Sequence, residues 1–382
     1  MNHKPLLLTE AVNVLLTKSA VPATLTIEQC AAALAMSMTS FRRKLSQEET
    51  TFKLIQQKYL NELCVYALLT KHVSIDSLVV KLGYSERSTF ERAFRHKFGI
   101  TPSQFRDLSL VGDKKNQQNL SDIAQNMSPL PNSCLQLLQE KEQDNLDVER
   151  VVEIVASDPI FTGRVMGLAS KAIYGKTPRN TQEAISRNLG INTVINMAVV
   201  YGVKDALESQ VEQRVIDQST HAFLIAPKFF QLMRKSVVGD IKFNSALTEQ
   251  VLIFALLGIL LLTHKNSAKH ELILHSLQGI NDLQSLNQHI NQAMNISIYS
   301  ASTLMLSLWH IDASVIKQLN HLDKVSQQKI KGSKQDELEL FMLSCLYVLA
   351  TRHSDFSGLE QKSQLLGLEN FTEIKTLLFT QS

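Results

Sequence analysis

Lys81-Leu82-Gly83-Tyr84-Ser85, then Thr89-Phe90-Glu91-Arg92-Ala93-Phe94-Arg95, then Phe98-Gly99-Ile100-Thr101-Pro102-Ser103-Gln104-Phe105-Arg106, is the stretch that decides how this chain folds. A Ser stands ahead of a helix whose aromatic anchor, Phe90, points inward while Arg residues at neighbouring positions face out. Ser74-Ile75-Asp76-Ser77-Leu78 opens the preceding helix, so residues 74–95 read as helix, turn, helix. An earlier copy spans residues 24–45: Ile27 to Leu34 gives one apolar face, Ser37 is a break or cap, and Phe41-Arg42-Arg43-Lys44-Leu45 opens a cationic second helix. Equivalent residues lie about 48 positions apart, Ser37 with Ser85, and Phe41 with Phe90 at one residue more. A long helix is expected between the copies, from about Phe52 to Leu69, with apolar positions at Leu60, Leu63, Cys64, Ala67 and Leu68. An anchored second helix with outward Arg residues suits a helix lying in a DNA major groove.

The remainder of the 382 residues follows the same helical spacing, and at roughly 150 residues per domain the length suggests two or three domains. Fourteen Gly and eight Pro, with 44% of residues hydrophobic, exclude all-β, collagen-like and disordered classes. No segment alternates for long, so the fold class is all-α. Residues 1–120 hold 16 Lys/Arg against 10 Asp/Glu, while residues 121–382 hold 23 against 26. The basic first part points to an anionic partner. Val111 to Asn119 carries one large apolar side chain and reads as a linker, giving domains at 1–110 and 127–382 joined by a polar linker at 111–126. Lys329 to Gln335 is expected to be a loop within the second domain, with apolar periodicity resuming from Leu338 to Leu349.

Cys30, Cys64, Cys134 and Cys345 stand far apart, which disfavours a zinc site and a disulfide framework and marks them as reduced core residues. Met1-Asn2-His3-Lys4-Pro5 leads into a brief apolar stretch unlike a secretory signal, so a cytoplasmic protein is expected. Val251 to Thr263 is an apolar run of 13 residues, short of the roughly 20 needed to cross a bilayer, and is expected to be a helix buried on all sides without membrane contact.

Leu82-Gly83-Tyr84-Ser85, Ser88, Phe90-Glu91-Arg92-Ala93-Phe94 and the close from Phe98 to Arg106 resemble the end of the AraC-type DNA-binding domain. The resemblance covers roughly residues 10–108 and implies two helix-turn-helix units on one long connecting helix, reading adjacent major-groove segments about 34 Å apart. Val79 departs from the small Ala usual in the second unit, and Glu49 from a Gly that commonly ends the first recognition helix. Mapped onto this sequence, the base-facing candidates are Thr39, Arg42, Arg43, Arg87, Ser88, Glu91 and Arg92. Arg can bond guanine through two donors, and Glu can accept from cytosine. Lys44, Arg95 and Lys97 are expected to contact phosphates, which position without specifying. The alternative for these cations is a solvated helix face, and for Arg92 an ion pair within its own unit.

In the acidic part, Asp158-Pro159 is a strong helix start, preceded by a helix from about Asp147 to Ala156 that buries Val148, Val151, Val152 and Val155. Leu130-Pro131, Leu135, Leu137-Leu138, Ile154, Ser157-Asp158-Pro159, Leu168-Ala169, Tyr174-Gly175, Pro178, Glu183-Ala184-Ile185 and Leu189-Gly190 resemble the opening half of an HDOD domain, an all-helical relative of the HD phosphohydrolases. Ser170 and Lys171 depart from the Asn-Ser common there. The HD enzymes need a His-Asp pair because imidazole and carboxylate together hold a divalent metal that activates water. This chain has no His-Asp dipeptide; Gly258 and Ile259 stand where the pattern would place it. His264, His270 and His275 fall on different helix faces and read as surface or capping residues, and His221, His310 and His321 as satisfied polar or rim residues. No enzyme activity, metal or cofactor is expected.

Together the resemblances imply a bacterial transcription regulator that binds double-stranded promoter DNA through its N-terminal module. A small molecule or a protein would then engage the HDOD-like module. Alternatives are a signalling scaffold that has lost DNA binding and, behind it, an HD-type phosphodiesterase. A homodimer is among the assemblies this reading allows.

Overall fold

A computed structural model describes residues 7–48, 50–69, 73–109, 123, 131–141, 147–170, 176–236, 245–267, 269–309, 311, 313–351, 356–368 and 370–380. Met1 to Pro5, Glu49, Leu130, Lys171, Tyr174, Gly175, His310 and the expected linker at 111–126, apart from buried Ile123, lie outside them. The described residues form helices and turns, with no strand among them. The chain divides into two compact units, Met1–Ser109 and Leu110–Ser382.

In the first unit the helices are α1 (Leu8–Lys18), α2 (Ile27–Ala33), α3 (Met38–Gln47), α4 (Phe52–Leu69), α5 (Ile75–Lys81), α6 (Arg87–Phe98) and α7 (Pro102–Ser109). Side chains that satisfy free backbone N–H groups start four of them. Thr26 and Gln29 form a capping box on α2, Ser37 accepts from the Ser40 N–H on α3, and Ser74 accepts from the Ser77 N–H on α5. Thr101 Oγ1 accepts from the Gln104 N–H at 3.1 Å ahead of Pro102 on α7. The start of α1 is held from a distance. Glu48 accepts from the N–H groups of Leu8 at 2.7 Å and Thr9 at 2.9 Å, and from the Thr9 hydroxyl at 2.6 Å. Burial raises the pKa of this carboxyl, but those bonds and Lys44 leave it lowered.

Leu8, Val12 and Leu16 of α1 pack on Cys30 and Ala31 of α2, Phe41 and Leu45 of α3, and Phe52 and Ile55 of α4. The second core is aromatic. Phe94 stacks on Phe98 with centroids 4.3 Å apart and meets Phe90 and Phe105 at 5.8 Å, and Tyr84 meets the edge of Phe90 at 5.5 Å. Arg106 Nη2 donates to the Val73 carbonyl at 2.7 Å, tying α7 to the entry of α5. On α4, Gln56 Nε2 donates to the carbonyls of Pro22 at 2.9 Å and Leu25 at 2.8 Å, which fixes the turn Pro22–Thr24 to the connecting helix.

Both helix-turn-helix bends rest on one left-handed residue, Ala35 at φ 52° in the first and Gly83 at φ 75° in the second. The Met36 N–H donates to the Ala31 carbonyl and the Tyr84 N–H to the Val79 carbonyl, at 2.9 and 3.0 Å. Gly83 is also pressed against the Pro22–Thr24 turn, since a Cβ there would lie 2.7 Å from that of Ala23.

The second unit comprises α8 (Asn132–Lys141), α9 (Val148–Ala156), α10 (Pro159–Ala169), a turn Thr181–Glu183 continuing as a π-helix Ala184–Leu189, and then α11 (Ile191–Leu207) and α12 (Gln213–Ser236). It continues with α13 (Ser245–Phe254), α14 (Gly258–Leu262), α15 (His270–Gly279), α16 (Leu283–Met294), α17 (Ile298–Leu308), α18 (Ala313–Ser326), α19 (Lys334–Thr351), α20 (Ser357–Leu365) and α21 (Phe371–Thr380). Asp158 caps α10 by accepting from the Phe161 N–H at 2.9 Å and from Ser133 at 2.7 Å. Arg164 bonds both oxygens of Asp205 at 2.9 Å and lies 4.5 Å above the Tyr201 ring, fastening α10 to α11. In α9 the buried set is Val151, Ile154 and Val155, while Val148 and Val152 are half-buried, because the 3.6-residue turn rotates those two to the flank of the face.

The run Val251 to Thr263 is buried throughout, but it is two helices rather than one. It breaks at Ala255–Leu257, where Ser302 of α17 accepts from the Gly258 N–H and donates to the Ala255 carbonyl, both at 2.7 Å. The two backbones approach so closely that a Cβ on Gly258 would meet the Ile298 carbonyl, and would stand 2.6 Å from the Ser302 nitrogen.

Two substitutions at the bends should have opposite signs. Ala35→Gly removes a left-handed Cβ penalty and should stabilise the first unit by about 0.5–1 kcal/mol, whereas Gly83→Ala should cost about 1–3 kcal/mol; urea melts of the full chain measure both. Gly258→Ala, which must push α17 away, should destabilise the second unit by about 3 kcal/mol on the same assay.

Candidate nucleic-acid interface

Phe41 is the fourth residue after the Ser37 cap of α3, and Phe90 is the fourth after Glu86, the residue that precedes α6. Both rings are buried, so both helices are rotated alike about their axes. The equivalence within the second helices is therefore 49 positions. The counterpart of Ser37 at the helix start is Glu86, not Ser85, because the second turn is one residue longer. The Glu86 side chain makes no capping bond to the backbone and instead accepts from the Ser88 hydroxyl at 3.1 Å.

This rotation assembles one face on each helix. At spacings of three, four and seven residues, α3 presents Thr39, Arg42, Arg43 and Ser46, and α6 presents Ser88, Glu91, Arg92 and Arg95. Thr39, Arg42, Arg43, Ser88, Arg92 and Arg95 are exposed, as are Lys44 and Arg87 beside these faces. Glu91 and Lys97 are half-buried. Lys97 leans toward α4: burial drives the Cys64 thiol up to about 12, and Lys97 opposes that shift.

Ion pairing separates these cations. Arg87 Nε donates to Glu91 at 2.8 Å, and Arg87 Nη1 lies 3.4 Å from Asp76 on α5. Arg42, Arg43, Arg92 and Arg95 make no ion pair among the described residues. For Arg92 this leaves the outward position rather than a pairing within its own unit. Asp76 and Glu86 were absent from the sequence-based site. Their signal was available, since one carboxylate opens α5 eleven residues before Arg87 and the other directly precedes α6.

Among the described residues no group of three His, Cys, Asp or Glu side chains is placed to hold a metal ion. His264 is buried rather than on the surface; burial, Lys265 and His270 lower its pKa, and its Nδ1 accepts from the Asn266 N–H at 3.1 Å. His270 is partly exposed and reaches Glu271 at 3.1 Å, and His321 reaches Asp336 at 3.1 Å, the latter as a satisfied polar residue does. Ser170 donates to the Met166 carbonyl at 2.7 Å as the cap of α10. A small cleft lined by Val215, Ala222, Leu256, Ile259, Leu277 and Tyr347 offers about 10 Å³, room for about one water. All four cysteines are buried and free.

Comparison with known proteins places families on both units. A helix-turn-helix domain model matches residues 30–107, and an HDOD domain model matches residues 127–325, just over half of the chain. The HTH-type transcriptional regulator VqsM of Pseudomonas aeruginosa is 34% identical over 74 residues, 19% of this chain and 23% of that protein. The HTH-type transcriptional regulator GadX of Escherichia coli O157:H7 is 27% identical over 100 residues, 26% of this chain and 36% of GadX. The chain thus spans about a quarter to a third of the length of the curated relatives it matches. An HDOD domain protein from Geobacter sulfurreducens superposes at a TM-score of 0.47 and 11% identity over 68% of this chain and 95% of that one, a likeness too loose to carry detail. With a helix-turn-helix domain of AraC type at its N-terminal end, the chain belongs to the HDOD domain family.

Proposed function

We propose that this protein is a bacterial transcription regulator, acting in the cytoplasm, that binds double-stranded promoter DNA with α3 and α6 and is controlled through its HDOD unit. The observation that carries the reading is the matched pair of outward faces, Thr39-Arg42-Arg43 and Ser88-Glu91-Arg92, held in the same rotation by Phe41 and Phe90. Short polar side chains at the first position of each face leave room for close approach, and the Arg and Glu that follow are residue types that read base edges. Lys44 and Arg95 supply phosphate contacts beside them, with Lys97 nearer the protein body.

For the HDOD unit the reading is control by a small molecule or a protein partner; the cleft between α12, α14, α15 and α19 has space for about one water, so a small molecule would have to bind elsewhere on the unit. The unit is read as non-catalytic. The reading is supported by Gly258 and Ile259, whose side chains cannot ligate a metal, and by the close approach of α17, which leaves no room for a side chain at Gly258. Purified protein should therefore hydrolyse bis-p-nitrophenyl phosphate with Mn2+ no faster than buffer.

Genome-wide mapping of bound DNA should give discrete sites sharing a motif of two major-groove segments about 34 Å apart, lost in Arg43→Ala/Arg92→Ala. In vitro, log affinity should fall steeply with log salt, by about 0.9 for each phosphate neutralised. A chain that enriches no site under several growth conditions would instead be a scaffold.

A further inference from the structure

The two helix-turn-helix units differ at the first residue of the second helix. Arg87 opens α6, whereas Met38 opens α3. Arg87 is held on two sides, by Glu91 at 2.8 Å on its own helix and by Asp76 at 3.4 Å on the preceding one. In the first unit the residue matching Asp76 is Glu28, but the residue matching Glu91 is Arg42, so no such clamp exists there. The side chains of Arg87 and Asp76 are 48% and 74% exposed, which places the clamp in solvent beside Ser88, on the face that would meet DNA.

Building on the DNA-binding role, we propose that Asp76 is a specificity-determining positioning residue: its charge keeps Arg87 off phosphates, so that Arg87 engages DNA where a base edge offers uncharged acceptors. A guanidinium carries five N–H donors in one plane. Glu91 takes the Nε–H and sets that plane, and Asp76 takes one N–H of Nη1 through the longer contact. The longer, more exposed contact is the one that yields. A phosphate can also take two N–H bonds, but it brings negative charge up to Asp76 and Glu91, which opposes its approach. Guanine accepts two parallel bonds at O6 and N7 without that added charge, so there the Asp76 contact can be exchanged for two. Arg42, Arg43 and Arg92 carry no clamp, so beyond any base edge they read they attract every duplex alike, as Arg95 does through phosphates. Asp76 thus trades overall affinity for discrimination.

The test uses the full chain, an operator selected by the wild type from a random-sequence duplex pool, and a scrambled duplex of equal length, read by fluorescence anisotropy. Asp76→Asn should tighten binding to the scrambled duplex about twofold to fivefold and to the operator by less, so discrimination falls. Its log–log salt slope on the scrambled duplex should steepen by about 0.9 as Arg87 joins a phosphate, a change that a merely structural role would not produce. In an Arg87→Gln background, Asp76→Asn should affect both duplexes equally. Equal tightening on both duplexes with Arg87 present, or no change on either, overturns the clamp while leaving DNA binding intact. A wild type that selects no sequence from the pool overturns the DNA-binding reading itself.

Discussion

Burial of a single ring four residues into the second helix governs each helix-turn-helix. Phe41 is fully buried and Phe90 is 2% exposed, and a buried ring at that place allows its helix one rotation. Side chains two and one residues before it, or one and two after it, are then assigned to solvent or protein by the 100° step of the helix alone. Thr39, Arg42 and Arg43, like Ser88, Glu91 and Arg92, are outward because Phe41 and Phe90 are inward. The bends at Ala35 and Gly83 deliver each second helix to its ring, and Gln56 and Arg106 fasten both units to their neighbours through carbonyl oxygens. A loss of either ring would therefore remove the orientation of the cationic face along with the core contact.

The HDOD unit is organised by buried polar contacts that force helices close together. Ser302 bridges two backbone groups at the break between α13 and α14, and Asn287 accepts from the Ile298 N–H at 2.8 Å, fixing the start of α17 against α16. Glu339, 1% exposed, accepts from Thr248 at 2.7 Å, Gln318 at 2.8 Å and Gln335 at 3.1 Å. Neutral donors from α13, α18 and α19 surround one carboxyl, so a relative shift of any of the three helices strands a buried polar group.

Where side-chain spacing alone decides the outcome, the sequence was legible. The long helix α4, the caps at Ser37 and Asp158, the all-helical class and the outward placement of Arg42, Arg43 and Arg92 all follow from local periodicity and capping chemistry. The departures have a common cause in contacts from distant segments. Val251 to Thr263 reads as one helix until Ser302, some forty residues later, intercepts its backbone. Ser85 reads as a cap because Ser is the better capping residue, yet the Phe90 ring fixes the helix start one residue further on. Asp76 and Glu86 stand close to the recognition helix in the sequence, but periodicity does not mark them, since neither belongs to its outward face; the turn between α5 and α6 is what brings Asp76 to Arg87.

Placing unequal charge on two similar faces has a physical consequence for how such a protein searches DNA. The face of α3 is cationic and unpaired among the described residues, so in the proposed DNA-binding role it would draw the molecule to any duplex through long-range attraction and counterion release. The face of α6 mixes Arg92 and Arg95 with Glu91, and Glu86 and Asp76 stand beside it. Acidic groups there weaken unselective attraction and make wrong contacts costly, which is how charge patterns generate discrimination more than strength. A single uniformly basic module would hold DNA tightly and slide past its site; in the proposed regulator two helices of equal shape and unequal charge would both read bases, with more unselective attraction on α3 and more discrimination on α6, within about 110 residues of one compact unit.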